Sequence, residues 1–199
     1  MKNYSIFAVI LIACVFVSCG VKQASGHRAT GGVSPFGTSA IEAPCQLYDT
    51  EDYFAATASF RGTHLQPQEL QLNALNAAQE IIYRKMIHIY EAMVSDYHNS
   101  IGNNRGNDIE RKLESAGDRI IKIIVKETSQ KCIRYSEVLD NGDCICTVGI
   151  EISKEEVARR VSTEVSNKLT QEEKNQIRYN EQQYRDYMNQ GFKTSQTNH

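Results

Sequence analysis

A long amphipathic pattern between residues 68 and 100 constrains the fold more than any other feature of the sequence. Apolar side chains recur there at steps of three and four residues, which places them on one face of an α-helix. The stripe comprises Leu70, Ala74, Ala78, Ile82, Met86, Ile89, Met93 and Tyr97. Pro67 suits the first turn, where a helix tolerates a residue without an amide hydrogen. Apolar residues beside the stripe indicate a helix covered on more than one side, so we interpret it as the core helix of a domain.

A strand, a second helix and a hairpin are predicted around this helix. Residues 53–62 combine aromatic and small side chains and end in Gly62, a pattern typical of a strand. A second helix is predicted from Ile109 to about Gln130. Residues 131–153 alternate around Asn141-Gly142, the strongest short signal for a hairpin.

A two-residue turn at Asn141-Gly142 would pair Leu139 with Cys144 and Glu137 with Cys146. Glu137 would be an exception on the core face, and Val138 and Ile145 would lie on the other face near the turn. The core face would otherwise carry apolar side chains. These are Ile133, Tyr135, Leu139, Cys144, Cys146, Val148, Ile150 and Ile152.

Two helix-start signals follow the hairpin. Ser153 with Glu156, and later Thr170 with Glu173, fit the capping box. The first helix carries an apolar stripe formed by Val157, Val161, Val165 and Leu169. The last is very polar, and its three tyrosines would either anchor a partner or pack back onto the domain. They are Tyr179, Tyr184 and Tyr187. We predict a disordered tail after Gly191.

This order of elements predicts an α+β fold. A small antiparallel sheet, made of one strand plus a hairpin, would be packed by the long helix and further helices, with an extra C-terminal helix. We expect a signal peptide over residues 1–18, a flexible tether over 19–50, the α+β domain over 51–169, and a polar C-terminal helix and tail over 170–199. The tether is predicted from its Gly, Ser and Thr content and its lack of hydrophobic periodicity.

The first nineteen residues are typical of a bacterial secretion signal. Lys2 precedes an apolar run over residues 6–17, which is shorter than the roughly 20 residues that span a bilayer. Phe16-Val17-Ser18-Cys19 looks like a lipobox, so Cys19 would be the lipidated residue.

Two other interpretations of this stretch remain. Leu11-Ile12-Ala13-Cys14 also fits a lipobox, but cleavage there would leave an apolar segment on the mature end. We favour Cys19, because Gly20 and a polar segment follow it. The third interpretation is an ordinary signal peptide with incidental cysteines.

The charge of the chain bears on its partners. Removing the signal takes away one of 22 basic side chains and none of the 24 acidic ones, so the remainder is mildly acidic. Such a chain has no basic field for nucleic acid and no polybasic patch for an anionic membrane. We therefore expect no nucleic acid partner, and membrane attachment through the N-terminal lipid alone.

Four cysteines would remain after processing: Cys45, Cys132, Cys144 and Cys146. In a secreted chain they can form disulfides, and three full pairings are allowed. A disulfide from Cys45 to Cys144 or Cys146 would tie the tether to the domain. Alternatively, Cys144 and Cys146, on one face of a strand, could bind a soft metal or exchange disulfides. We favour a third role for this pair, as small side chains of the core, and expect no metal or cofactor.

Catalytic motifs are missing from the sequence. It contains no His-Glu-x-x-His zinc motif, no Gly-x-Ser-x-Gly elbow, no P-loop and no Gly-x-Gly-x-x-Gly. We therefore predict that the protein is not an enzyme.

Three segments together resemble the Lpp-twenty family of outer-membrane lipoproteins. They are the strand over residues 53–62, the Ala-rich helix over 70–92, and the hairpin running into Ile150-Glu151-Ile152-Ser153-Lys154. The resemblance covers roughly residues 50–165, and the chain also looks like an uncharacterised lipoprotein group of Bacteroidetes-type bacteria. The helix from Thr170 onward is extra to the family pattern. The resemblance implies an outer-membrane lipoprotein without known catalytic residues.

The sequence thus favours a lipid-anchored outer-membrane lipoprotein with a structural or protein-interaction role and an envelope protein as its partner. It leaves open whether the domain faces the periplasm or the cell surface. One alternative is a binding module for a small envelope ligand, held between the long helix and the sheet. The least favoured hypothesis is a redox protein that uses Cys144 and Cys146.

Overall fold

The computed structural model describes residues 32–33, 39–40, 45–101 and 107–195. The chain divides into two units, residues 1–40 and 41–199. In the first unit, β1 (Gly32–Val33) pairs antiparallel with β2 (Ser39–Ala40). The predicted signal peptide, with Cys14 and Cys19, lies outside the described residues, as does most of the predicted tether. Every feature below belongs to the second unit.

The second unit contains a three-stranded antiparallel sheet. Its strands are β3 (Tyr53–Thr63), β4 (Gln130–Tyr135) and β5 (Asp143–Ser153), in the order β3-β5-β4. The central position of β5 explains its apolar sequence, because both of its edges and one face are covered. The predicted α+β class is confirmed, and β3 extends the predicted strand by one residue.

The helices follow the predicted order. They are α1 (Pro67–Ser100), α2 (Asn107–Glu127), α3 (Lys154–Lys168), α4 (Gln171–Gln176) and α5 (Glu181–Thr194). The Ser153 side chain caps α3 by accepting from the backbone N–H of Glu156. Thr170 and Glu173 form the reciprocal capping box of α4. Both helix starts are confirmed, but only the second is a full capping box, because the Glu156 carboxylate accepts from Arg159 instead of the Ser153 backbone.

Helix α1 contacts different neighbours along its length. Each four-residue step along its stripe turns the side chain about 40° further around the helix axis. The buried face therefore rotates from Leu70 to Val94, and α1 contacts strands β3 and β5 as well as helices α2 and α5. This rotation explains why apolar residues flank the predicted stripe on both sides.

The predicted register of the hairpin is wrong by two residues. Tyr135, not Glu137, pairs with Cys146. The reason is a longer loop: the Leu139 N–H donates to the carbonyl of Asp143 at 2.7 Å, and the Gly142 N–H donates to the carbonyl of Leu139 at 2.8 Å. Gly142 has a φ of 80°, which glycine adopts without steric cost. A shift of two residues preserves the alternation, so Cys144, Cys146, Val148 and Ile150 are buried on the core face.

The compact unit extends beyond the predicted domain of residues 51–169 at both ends. Cys45 is buried, in the segment predicted as tether. At the other end, α5 continues to Thr194, so the prediction of disorder directly after Gly191 is wrong for residues 192–195. Tyr184, Met188 and Phe192 are fully buried and belong to the main core cluster. The C-terminal helix therefore completes the core.

Candidate functional site: the strap over the sheet and its lysines

Residues 45–52, which we call the strap, cross the outer face of the sheet, opposite α1. Cys45 forms a disulfide with Cys132 on β4. The Leu47 N–H donates to the Thr57 hydroxyl on β3 at 2.9 Å, and Asp49 Oδ1 accepts from the Ala55 N–H at 2.7 Å. The strap therefore runs from one edge strand to the other over the central strand.

Gly149 on β5 is the point where the strap lies closest to the sheet. A Cβ atom there would lie 2.8 Å from Cys132 Sγ, 2.8 Å from Leu47 Cδ1 and 2.9 Å from the carbonyl oxygen of Cys45. Contacts this short do not occur between real side chains, and one of them is to backbone. Glycine is thus the residue that lets the strap and the disulfide pass over the strand.

The observed disulfide differs from the pairing suggested by the sequence. Cys45 bonds to Cys132, while Cys144 and Cys146 are free and buried. Burial raises the pKa of the Cys146 thiol, and it raises the pKa of the neighbouring Tyr135 hydroxyl to about 12. Both groups are therefore protonated at neutral pH, and a protonated, buried thiol is a poor nucleophile and metal ligand.

Lysines from two helices bind the acidic end of the strap. Lys85 on α1 donates to Asp49 Oδ1 at 2.7 Å and to the carbonyl of Ala55 at 2.9 Å. Lys193 on α5 donates to Asp52 Oδ1 at 3.0 Å. These contacts connect the strap to the helical layer as well as to the sheet.

Lys154, the first residue of α3, is the least expected side chain in this region. Its side chain is fully buried, and its Nζ has no hydrogen-bond partner within the described part of the chain. The Nζ lies 5.0 Å from the centre of the Phe54 ring, within range of a cation–π contact. Burial lowers the pKa of Lys154, and the nearby Asp49 carboxylate partly opposes that shift. Sequence reasoning missed this residue, because a lysine in the first turn of a helix is ordinarily solvated.

The tyrosines of the C-terminal segment pack inward. The Tyr90 hydroxyl donates to the carbonyl of Leu113 at 2.7 Å and lies 3.3 Å from the Tyr184 hydroxyl. Tyr179 donates to the carbonyl of Ser162 at 2.8 Å, and Tyr187 donates to that of Met93 at 3.3 Å. Burial raises the pKa of Tyr184 well above its usual value, so it stays neutral. Of the two interpretations left open, these bonds favour packing onto the domain.

A surface depression of about 410 Å³ lies where the end of α2 meets the start of β4, the end of β5 and the start of α3. Its walls carry charged side chains that pair with each other: Arg160 contacts Glu127 at 2.6 Å, and Lys131 contacts Glu151 at 3.3 Å. The predicted ligand groove between α1 and the sheet is instead filled by the core side chains of both layers.

The described residues also bear on metal binding and on membrane spanning. In these parts of the chain, no three His, Cys, Asp or Glu side chains group closely enough to hold a metal ion. Among the helices described, none combines the length and apolar character needed to cross a bilayer.

No protein-family model, curated protein or solved structure matches the chain. The resemblance to Lpp-twenty lipoproteins therefore stays a prediction.

Proposed function

We propose that the protein is a lipid-anchored lipoprotein of the bacterial outer membrane with a non-catalytic, structural or protein-interaction role. The observation that carries the proposal is the disulfide between Cys45 and Cys132. Disulfides form and persist in the periplasm and at the cell surface but are rare in the cytosol. The disulfide thus supports export, which the lipobox ending at Cys19 independently predicts.

The strap also suits a domain held by its N-terminal side. The chain that would lead from the lipid reaches β3 through the strap, and Cys45 in the strap is covalently joined to β4. A lipid anchor stays in the bilayer because each buried methylene contributes about 0.8 kcal/mol to the free energy of membrane binding. Stable anchoring takes more than one acyl chain. At the domain end, the disulfide between Cys45 and Cys132 would keep this end of the strap on β4 even if the strap unfolded locally.

The non-catalytic role is supported by where the reactive side chains lie. Cys144 and Cys146 line the core face of the sheet, and Lys154 is covered completely. The hydroxyls of Tyr90, Tyr179 and Tyr187 donate hydrogen bonds to backbone carbonyls. These groups contribute to packing, which favours surface contacts as the means of action.

Lipid labelling tests the proposal. The full chain is expressed in a bacterial host with an alkyne-tagged fatty acid, beside Cys19→Ala and Cys14→Ala variants. We expect the wild type and Cys14→Ala to carry label in the outer-membrane fraction, and Cys19→Ala to carry none. Label that persists in Cys19→Ala and disappears in Cys14→Ala would move the anchor to Cys14. An unlabelled wild type would refute lipid attachment.

The second candidate, a binding module for a small envelope ligand, rests on the depression beside Arg160 and Glu156. Its paired charges would suit a polar ligand rather than an apolar one. Crosslinking in the intact envelope separates the two functions: a stable crosslinked protein partner supports the first, whereas a domain that crosslinks to no protein supports the second. Protease treatment of whole cells then determines whether the domain faces outward.

A further inference from the structure

Strand β3 is an edge strand, and its odd-numbered residues turn their backbone groups away from the sheet. At one end the carbonyl of Asp52 accepts from the Lys154 N–H, and at the other the His64 N–H donates to the carbonyl of Gly142. Even-numbered residues therefore bond to β5. Because hydrogen bonding alternates along a strand, the N–H and C=O groups of Thr57, Ser59 and Arg61 point outward.

Within the described residues, side chains of the strap and of α1 cover the first part of this edge. The outward N–H of Ala55 donates to Asp49, and its carbonyl accepts from Lys85. Over residues 57–61, no backbone hydrogen bond to the outward groups is made by any residue that the structure describes. An exposed edge of this kind is a template for a strand from another chain.

The other edge of the sheet is protected in the ways natural proteins use. Strand β4 has only six residues, and its register shifts between Gln130 and Cys132. It also carries two exposed charged side chains, Lys131 and Arg134. Short length, irregular pairing and charge all discourage strand addition. Strand β3, with eleven residues and regular pairing, has no proline, and its one charged side chain, Arg61, is paired with Asp143 on β5 at 3.1 Å.

We propose that residues 57–61 pair antiparallel with the same segment of a second copy of this chain, with Ser59 opposite the partner's Ser59. This register also places Thr57 opposite the partner's Arg61. In this register, the outward N–H and C=O groups of Thr57, Ser59 and Arg61 all form hydrogen bonds with the partner strand. The two sheets then become one continuous sheet. A register displaced toward the start of β3 would need the backbone groups of Ala55, which Asp49 and Lys85 already occupy.

The side chains fit the same register. On the core side, Phe60 would lie across from the partner's Ala58, a large side chain against a small one. Phe60 is 41% exposed, so the pairing would cover apolar surface. On the outer side, Arg61 would face a threonine. A register centred on Arg61 would instead place two guanidinium groups opposite each other, which is unfavourable.

Confinement of both copies to one membrane surface would raise their effective concentration, but the pairing itself does not depend on the lipid.

Cysteine crosslinking tests the register. In a hydrogen-bonded antiparallel pair, opposite Cα atoms lie about 5.5 Å apart, within the range that a disulfide bridges. Ser59→Cys should therefore form a disulfide-linked dimer of the full chain under mild oxidation. Arg61→Cys is the matched control on the same strand, because its two copies would lie roughly 14 Å apart. We expect crosslinking at least tenfold faster for Ser59→Cys. Equal rates would overturn the proposal.

A proline variant gives a second measurement. The N–H of Ser59 points outward, so Ser59→Pro removes no bond to β5, and edge strands tolerate such a proline. We expect it to reduce the dimer fraction at least tenfold in sedimentation, while thermal unfolding shows an intact fold. An unchanged dimer fraction would refute the pairing. If Ser59→Cys instead links to a different envelope protein, the second copy is the wrong occupant. Running both assays with Cys19→Ala keeps this result separate from lipid attachment.

Discussion

Replacing Lys154 by methionine is expected to stabilise the fold. Methionine has nearly the length of lysine, but it has no amine to desolvate. The Lys154 side chain is fully buried, and its Nζ is not hydrogen-bonded within the described residues. In proteins, burying a polar group without a hydrogen bond costs about 1–3 kcal/mol. The contact with the Phe54 ring recovers part of this cost, about 0.5–2 kcal/mol.

The balance gives an expected gain of roughly 1 kcal/mol for Lys154→Met. For a domain of this size, that gain raises the melting temperature by about 2–4 °C. Urea denaturation at pH 7 measures it directly. Lys85→Met is the matched control in the same cluster, because Lys85 donates two hydrogen bonds, and its loss leaves Asp49 and the Ala55 carbonyl without them. This control should lose stability.

The difference in stability between Lys154→Met and the wild type should depend on pH. Burial lowers the pKa of Lys154 in the folded state below its ordinary value of 10.5. Below the folded pKa the amine is charged in both states, and the folded state carries the full cost. Above pH 10.5 the amine is neutral in both states, and the part of the cost that comes from burying a charge disappears. The advantage of Lys154→Met should therefore shrink as pH rises through this range. Tyrosine ionisation affects both proteins equally and cancels.

The reasoning would be refuted if Lys154→Met lost as much stability as Lys85→Met. That result would mean that the ammonium group of Lys154 is paired in solution, with the nearby Asp49 as its nearest candidate.

Two further substitutions test the strap and the C-terminal helix. Gly149→Ala should cost about 1–3 kcal/mol and speed reduction of the Cys45–Cys132 disulfide, because the new methyl displaces the strap. Gly62→Ala, which meets only the flexible end of Leu70, is its control; a disulfide reduced equally fast in both variants would count against the strap. Phe192→Ala should cost about 3–5 kcal/mol in thermal unfolding, since this fully buried ring packs edge-on against Phe54. Tyr48→Ala, at an exposed aromatic, should cost little, and a similar loss in both would contradict the burial of Phe192.

The sequence predicts the elements that repeat a simple period. Helix α1 and strand β3 were expected within one residue of where they begin and end, because burial on one face imposes the period directly. The capped starts of α3 and α4 were also predictable, since a cap is a local interaction between residues three positions apart.

Features that no simple period or local cap specifies were not predictable in the same way. The hairpin register depends on the hydrogen bonds of the Leu139–Asp143 loop, which the Asn141-Gly142 signal does not specify. The polar sequence of α5 hides the burial of Phe192, because only one narrow face enters the core. The burial of Lys154 depends on strap, strand and helices that meet only in the folded protein.

The disulfide of the strap has a mechanical consequence. If the chain were pulled at a point before Cys45 while its C-terminus was held, the force would pass through the disulfide directly from Cys45 to Cys132. The two cysteines are 87 positions apart in the sequence. The residues between them, which include β3, α1 and α2, would then be bypassed and carry no tension. Each bypassed residue shortens the maximum extension of the chain by about 3.3–3.6 Å. The long helix and the edge that we expect to pair would thus lie outside the path of the force while the residues after Cys132 are stretched.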